Sequence, residues 1–245
     1  MSAKSADTTN TLQRKDNGNI EIKITIPWSE ISTAYETKLN QAVAAAEIPG
    51  FRKGKAPREM VEPKLDRSEL ISQALGDLLP VAYSKLVETL KLKPILYPQI
   101  HIDKGKEGED WEFSAITCEA PAVNLPDYKH DLPNITVKPD QSKLSAAIEY
   151  LKDKTKVSIP DLLVEEETNH RLSSLVENLS KIGMSMEKYL QTKKITAEDL
   201  KAQSAQSARL DLEIEFALAQ IQTDEKLTDR NKTIEFIQSL IQPSK

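Results

Sequence analysis

The feature that most constrains the fold is a change of hydrophobic period at Pro27. Before this proline, residues 19–26 alternate isoleucines with polar side chains, which is the two-residue period of a strand with one buried face. From Trp28 to Ala46, apolar residues recur every three or four positions, which predicts a helix with one apolar face. Asp16-Asn17-Gly18 is typical of a tight turn, so residues 11–15 are predicted to pair with the strand as a short hairpin arm.

The rest of the first half mixes helix and strand in the same way. Asp66, followed three residues later by Glu69, predicts a capped helix start, and apolar spacing continues past Pro80, where we expect a kink, to Leu90. The remaining predictions are an extended segment at 95–103, a turn at 105–110 and an alternating strand at 111–117. This order of elements predicts an α+β domain.

Beyond Pro133 the sequence predicts one short strand, over residues 134–138, and after it only helices. The predicted helices run from Asp140 to about Lys154, from Ser158-Ile-Pro-Asp161 to a stop at Gly183, from Thr196-Ala-Glu-Asp199 onward, and through Ile234 to Ile241. The second half is therefore expected to be all-α.

Composition narrows the classes of function. The chain of 245 residues has 39% hydrophobic and 29% charged residues and a net charge of -5, which indicates a globular, mildly acidic protein. No run of 18 apolar residues is available to cross a membrane, and the first residues lack the apolar core of a secretory signal, so we expect a cytoplasmic protein. The single cysteine, Cys118, is expected to be a core residue rather than a redox centre.

Few residues suggest catalysis or metal binding. The three histidines, His101, His130 and His170, have no second ligand at metal-like spacing. The chain has no Gly-x-Ser-x-Gly nucleophile motif and no phosphate-binding loop, and acidic residues such as 165–167 are typical of a solvated helix face. We therefore expect no catalytic residues, no metal and no cofactor.

One segment departs from the acidic average. Residues 50–58 hold four cations within seven residues, and two glycines let the backbone turn sharply, which predicts an exposed basic loop. Phe51 is either a core residue beneath this loop or an apolar anchor for a partner. If all four cations contacted phosphates, the salt slope of binding would be about -3 to -4, which suits docking better than base recognition.

The run Ile48-Pro-Gly-Phe-Arg-Lys-Gly-Lys-Ala-Pro57 resembles the signature of bacterial trigger factor, a family of ribosome-associated chaperones. Other segments similar to that family's ribosome-binding domain are Thr25-Ile-Pro27, Leu78-Leu-Pro-Val-Ala-Tyr83, Leu92-Lys-Pro94, Glu112-Phe-Ser-Ala115 and Pro126-Asp-Tyr-Lys129. The resemblance implies that residues 1–129 dock on the large ribosomal subunit at the tunnel exit, on a ribosomal protein and ribosomal RNA. The ribosome-binding residues that it implies are Gly50, Phe51, Arg52, Lys53, Gly54 and Lys55.

The second half also resembles this family, as a linker and helical chaperone domain over residues 130–245. The similar segments are Thr136-Val-Lys-Pro139, Ile159-Pro-Asp-Leu-Leu163, Gly183-Met-Ser-Met-Glu-Lys-Tyr-Leu190 and Ile195-Thr-Ala-Glu-Asp-Leu200. The family normally carries a prolyl isomerase domain between Lys154 and Ser158, where this chain has three residues, too few for even one strand pair. We therefore expect no isomerase activity. The end of the sequence, just after Ile241, implies a shortened client-holding arm.

The resemblance implies a cytoplasmic chaperone, not an enzyme, that serves protein folding and protein transport by holding nascent or unfolded polypeptides. Met184, Met186, Tyr189 and Leu190 are the candidates for client binding because flexible thioethers adapt to varied sequences, although the same spacing also fits a helical core. No DNA or membrane partner is implied, and a homodimer stays open. Two alternatives remain: an RNA-binding module that uses the basic loop, and a foldase with residual peptidyl-prolyl isomerase activity.

Overall fold

The structure is a computed structural model that describes residues 11–138 and 140–241. It divides into two compact units. The first includes the chain up to Lys15 and Ile20–Glu119, and the second includes Asp16–Asn19 and the chain from Ala120 onward. Each unit has its own apolar core, described separately below.

The first unit combines a four-stranded sheet with helices. Its strands are β1 (Leu12–Arg14), β2 (Asn19–Ile26), β3 (Gln99–Lys104) and β4 (Trp111–Cys118), and its helices are α1 (Trp28–Ala45), α2 (Arg58–Val61) and α3 (Arg67–Thr89). The strand order is β1-β2-β4-β3, with β1 antiparallel to β2 and β3 antiparallel to β4. The predicted α+β architecture, the hairpin, the isoleucine strand and the first helix are confirmed.

The alternating isoleucines build the core of this unit. Ile20, Ile22, Ile24 and Ile26 are almost completely buried, while the residues between them keep part of their surface exposed. The core residues that pack with them are Ile31, Leu75, Leu86, Leu92, Phe113 and Ala115. Cys118 is buried, as the sequence predicts. The period-2 pattern therefore places one face of β2 against the helices and leaves the other face polar.

Local signals explain where α3 begins and why it continues. The Asp66 carboxylate accepts hydrogen bonds from the backbone N–H groups of Ser68, at 2.8 Å, and Glu69, at 3.3 Å, which caps the helix. Pro80 lies inside α3 without ending it. Proline has no backbone N–H, so the carbonyl of Gly76, four residues earlier, loses its helical hydrogen bond. Gly76 is exposed to solvent.

The second unit is mainly helical. Its elements are β5 (Val123–Asn124), α4 (Tyr128–Asp131), α5 (Lys143–Lys154), β6 (Lys156–Val157), α6 (Asp161–Lys181), α7 (Met186–Lys193), α8 (Ala197–Asp224) and α9 (Arg230–Leu240). One core cluster joins α4, α5, α8 and α9 around Leu132, Leu151, Ile221 and Ile237. A second cluster packs α6 against α8 around Ile159, Val164 and Ala208.

Predicted helix limits in this unit are largely confirmed. Gly183, with φ +67°, follows the end of α6. Thr196 and Asp199 form a capping box at the start of α8, in which each side chain accepts a backbone N–H of the other residue at 3.0 Å. By contrast, α5 begins at Lys143, after its cap Ser142, rather than at Asp140.

Two predictions about the second unit are wrong. Residues 134–138 do not form a strand, because Leu132–Asn134 is a 3-10 turn in which the Asn134 side-chain amide donates to the carbonyl of His130 at 2.8 Å. The prediction of only helices after residue 138 is also wrong, because Lys156–Val157 is a short strand, β6, antiparallel to β5. The partner strand lies more than thirty residues upstream, so the local sequence around β6 could not reveal the pairing.

Among the described residues, no helix combines the length and the apolar content that crossing a membrane requires.

Candidate functional site

The basic segment forms the connection between α1 and α2. The α1 helix packs against α3, so this connection lies at one end of a helical hairpin. Ala46 is the C-cap of α1 and Pro57 is the N-cap of α2, so both ends of the loop are set by helix ends. The predicted ribosome-binding residues, 50–55, all lie in this one loop.

Backbone hydrogen bonds give the loop a defined path. The N–H of Phe51 donates to the carbonyl of Ile48 at 3.0 Å, and the N–H of Lys55 donates to the carbonyl of Arg52 at 2.9 Å. The N–H of Gly54 donates to the carbonyl of Ala46, at 3.0 Å, and so ties the loop to the end of α1. These bonds form two tight turns and one closure across the base of the loop.

Gly50 and Gly54 have different roles in this path. Both adopt positive φ, +90° and +70° respectively, where side chains other than glycine are strained. A Cβ at Gly50 would meet no atom within 4 Å, whereas a Cβ at Gly54 would overlap the carbonyl oxygen of Ala44. Gly54 is therefore needed both for its backbone conformation and for the close approach of the loop to α1.

Phe51 is exposed at the tip of the loop. Its exposed fraction is 42%, so the ring is not sealed within the first unit. Ala56, by contrast, is buried, and Met60 adds a second exposed apolar side chain on α2. The geometry therefore favours the interpretation of Phe51 as an apolar surface group over its interpretation as a core residue.

The four cations of the segment differ in their partners. Arg52 and Lys55 form no ion pair with any residue in the described part of the chain. Lys53 Nζ lies 3.4 Å from the Glu47 carboxylate, and both side chains are largely exposed. Arg58 is held by two carboxylates, those of Glu36 and Glu62.

The Arg58 guanidinium forms a fork with Glu36. Its two terminal nitrogens donate to the two Glu36 oxygens at 2.7 and 3.0 Å, and Nε donates to Glu62 at 2.9 Å. These bonds lower the pKa of the Glu36 carboxyl and raise the pKa of Arg58. If the loop contacts phosphates, three of its four cations remain for them, and the expected slope of log affinity against log salt concentration is about -2 to -3.

The four client-binding candidates lie together in the second unit. Met186, Tyr189 and Leu190 are on α7, and Met184 lies in the turn before it. Each of the four is half-buried, and no residue of α7 is fully buried. The exposed apolar surface next to them includes Ile182, with 71% of its surface accessible, which the sequence reasoning did not select.

Another concave feature of the second unit is a crevice of about 470 Å³ between α5, α6, α8 and α9. Its charged groups are paired with each other: Arg171 donates to Glu167 at 2.7 Å and to Asp211 at 2.9 Å, and Arg230 pairs with Glu215. Within the described residues, no group of three or more His, Cys, Asp or Glu side chains is placed to hold a metal ion.

Comparison with protein-family models places two matches along the chain. Residues 8–151 match the family described as "Bacterial trigger factor protein (TF)", and residues 136–236 match "Bacterial trigger factor protein (TF) C-terminus". The two matched ranges overlap, so no other domain lies between them.

Comparison with curated proteins gives relatives named "Trigger factor". The protein of Nocardia farcinica is 34% identical over 52% of this chain and 26% of its own length. The Staphylococcus epidermidis protein is 28% identical over 71% of this chain and 36% of its length. The Mycolicibacterium smegmatis protein is 31% identical over 48% of this chain and 25% of its length. The chain spans about a quarter to a third of the length of these relatives.

A similar solved structure is described as "Promiscuous Substrate Recognition in Folding and Assembly Activities of the Trigger Factor Chaperone". It is 23% identical, covers 58% of this chain and 33% of that chain, and has a TM-score of 0.37.

Proposed function

Because the chain belongs to the bacterial trigger factor family, we propose that it is a cytoplasmic molecular chaperone that docks on the large ribosomal subunit near the polypeptide tunnel exit. It holds nascent or unfolded polypeptides there. Residues 1–129 carry the docking function and residues 130–245 the holding function. The observation that supports this proposal most strongly is the loop of residues 50–55, in which an exposed aromatic ring lies among exposed cations.

The loop combines two kinds of interaction. Arg52, Lys53 and Lys55 attract ribosomal RNA and acidic protein side chains and speed the encounter, while salt weakens this attraction. Burying the Phe51 ring in an apolar site contributes about 1.5 to 3 kcal/mol. A micromolar dissociation constant corresponds to about -8 kcal/mol, so additional contact area must contribute. One apolar anchor and a few screened charges therefore give weak and reversible docking, which suits a chaperone that must release the ribosome.

Client holding is assigned to the apolar surface around α7. Met184, Met186, Tyr189 and Leu190 keep part of their surface accessible, and Ile182 extends the apolar area. Met side chains rotate freely and can fit varied client sequences without a fixed pocket. Such a surface binds unfolded chains by apolar contact, so it requires no metal and no cofactor.

We further propose that this chain is not a peptidyl-prolyl isomerase. The matched family ranges overlap at 136–151, and α5, β6 and α6 follow one another directly, which leaves no room for an isomerase domain at that point. The crevice between α5 and α9 is lined by paired charges rather than by aromatic side chains.

An RNA-binding module is the second candidate, because Arg52 and Lys55 are cations without an ion-pair partner among the described residues. The two functions differ in the role of the ring. Binding to free RNA through phosphates would survive Phe51→Ala and fall with removal of the cations, whereas ribosome docking falls with either change.

The experiment that tests docking is co-sedimentation with ribosomes. The variant Phe51→Ala/Arg52→Ala/Lys53→Ala is expected to keep its fold, because all three side chains are exposed, and to lose co-sedimentation. The variant Lys91→Ala/Lys93→Ala/Tyr97→Ala removes two cations and one exposed ring elsewhere in the first unit and is the matched control. If the loop variant co-sediments with ribosomes as fully as the control variant and the parent, the loop is excluded as the docking site.

A further inference from the structure

We propose that Arg58 is a positioning residue of the docking loop and not one of its contact residues. Its guanidinium, fixed by Glu36 and Glu62, holds the loop in the shape that docks. This inference rests on the proposed docking function, because it assigns a role within that same site. It also departs from the sequence pattern, in which Arg58 is one of four equivalent cations.

The connections of Arg58 show what it fixes. Glu36 lies on α1, before the loop, and Arg58 is the first residue of α2, after the loop. The fork between them, with N–O distances of 2.7 and 3.0 Å, therefore joins the two sides of the loop. The bond from Nε to Glu62, four residues along, orients the guanidinium for the fork.

The fork acts together with the backbone closure at Gly54. The N–H of Gly54 bonds to Ala46 at the end of α1, and Arg58 makes its side-chain link to α1 four residues further on. Residues 47–53, which include the exposed ring and two cations, lie between the bonded ends of this closure. Fixing the loop before docking reduces the conformational entropy that docking must remove.

The same geometry argues against a direct contact with phosphate. All three nitrogen atoms of the guanidinium, Nε and the two terminal ones, already donate to carboxylates. A phosphate would have to displace Glu36 or approach a guanidinium flanked by two negative charges. Arg52 and Lys55 have no such competitor among the described residues.

Glu36→Gln separates the two roles by the sign of its effect. A contact role predicts equal or tighter ribosome binding, because the change frees Arg58 and removes a negative charge. A positioning role predicts binding that is weaker by about two- to fivefold, the range expected for loss of an exposed ion pair. Glu30→Gln makes the same change on the same helix, at an exposed carboxylate without an ion pair among the described residues, and is expected to bind like the parent.

The salt dependence of ribosome affinity gives a second criterion. Removing a phosphate contact lowers the magnitude of the slope by about 0.7 to 0.9, and Lys55→Ala is expected to do so. Arg58→Ala is expected to weaken binding by about two- to fivefold at an unchanged slope. A decrease in slope for Arg58→Ala equal to that of Lys55→Ala would overturn the proposal, as would tighter or unchanged binding of Glu36→Gln.

Amide hydrogen exchange tests the positioning role without ribosomes. In Glu36→Gln and Arg58→Ala, exchange at the amides of Gly54 and Lys55 is expected to be about two- to fivefold faster than in the parent and in Glu30→Gln. Unchanged exchange would overturn the proposal. If the parent itself does not bind ribosomes, the docking function fails, and exchange alone then decides whether Arg58 orders the loop.

Discussion

Lys23 Nζ lies 2.8 Å from the Asp103 carboxylate, an ion pair that spans the strand between β2 and β3. That strand, β4, contributes Ser114, whose hydroxyl lies 2.7 Å from Lys23 Nζ and donates to Asp103 at 2.5 Å. Lys23 also pairs with Glu21 at 3.1 Å. This network connects three strands on the polar face of the sheet, opposite the isoleucine core.

The network predicts loss of stability in acid. Hydrogen bonds from Lys23 and then Ser114 lower the pKa of Asp103, so the unfolded state, with a carboxyl pKa of about 3.9, binds protons more readily than the folded state. This contribution is present above about pH 4 and disappears as the pH falls through the lower, folded pKa. Asp103→Asn is therefore expected to narrow the difference in melting temperature between pH 7 and pH 3.

The control for this prediction is Glu30→Gln, at an exposed carboxylate without an ion pair among the described residues. Glu30→Gln should show the same difference in melting temperature between pH 7 and pH 3 as the parent protein. An Asp103→Asn protein whose melting temperature falls between pH 7 and pH 3 by as much as the parent's would show that the network does not set the acid response.

The two loop glycines predict unequal effects of alanine. Gly54→Ala combines a strained backbone with overlap of the new methyl group and Ala44, so it should destabilise the first unit by at least about 1 to 2 kcal/mol and weaken docking. Gly50→Ala introduces backbone strain without overlap, since no atom lies within 4 Å. Thermal melting and ribosome co-sedimentation measure both effects, and a Gly50→Ala protein as impaired as Gly54→Ala would contradict this ranking.

Holding activity is predicted to require the second half of the chain. The full chain is expected to suppress aggregation of a denatured client, measured by light scattering, and residues 1–129 alone are expected to do so much less. Met186→Ser/Tyr189→Ser should weaken suppression, because it removes accessible apolar surface on α7. Val81→Ser/Tyr97→Ser, which changes exposed apolar residues of the first unit, is the control and should retain it.

Proline-limited refolding is expected to proceed at the uncatalysed rate in the presence of this chain. Isomerisation of an X–Pro bond takes about 10 to 100 s at 25 °C without a catalyst, which gives a clear baseline. The assay monitors a client whose slow phase is limited by proline, with an authentic isomerase as the positive control. Acceleration of that phase at catalytic amounts of the chain would favour the foldase alternative.

Long periodic segments were predictable, whereas short segments were predictable only where a turn signal marked them, as Asp16-Asn17-Gly18 marks the hairpin arm β1. The four isoleucines of β2 and the apolar face of α1 each repeat several times, so their limits agree with the structure to within a residue. β6 has only two residues and no measurable period, and its partner β5 is remote in sequence. Residues 134–138 looked extended after a proline, but Asn134 bonds to the backbone of His130 and shapes a turn.

The basic loop of residues 50–58 shows a similar division. Its location, its charge and its two glycines follow from residues that are adjacent in sequence. Whether Phe51 is covered depends on what packs above the loop, which spacing alone does not determine. The engagement of Arg58 depends on Glu36, which lies 22 residues earlier and is brought near by the return of the loop to α1.

The short pairing of β5 with β6 brings the entry and the exit of the segment 125–155 to the same place. Because the β5–β6 pair already holds the two ends of this segment together, a change in the number of residues next to the pair does not displace the neighbouring helices. The entropic cost of closing a loop rises only slowly with its length. The connection after Lys154 is accordingly a position where the chain can accommodate additional residues without displacing α5 or α6.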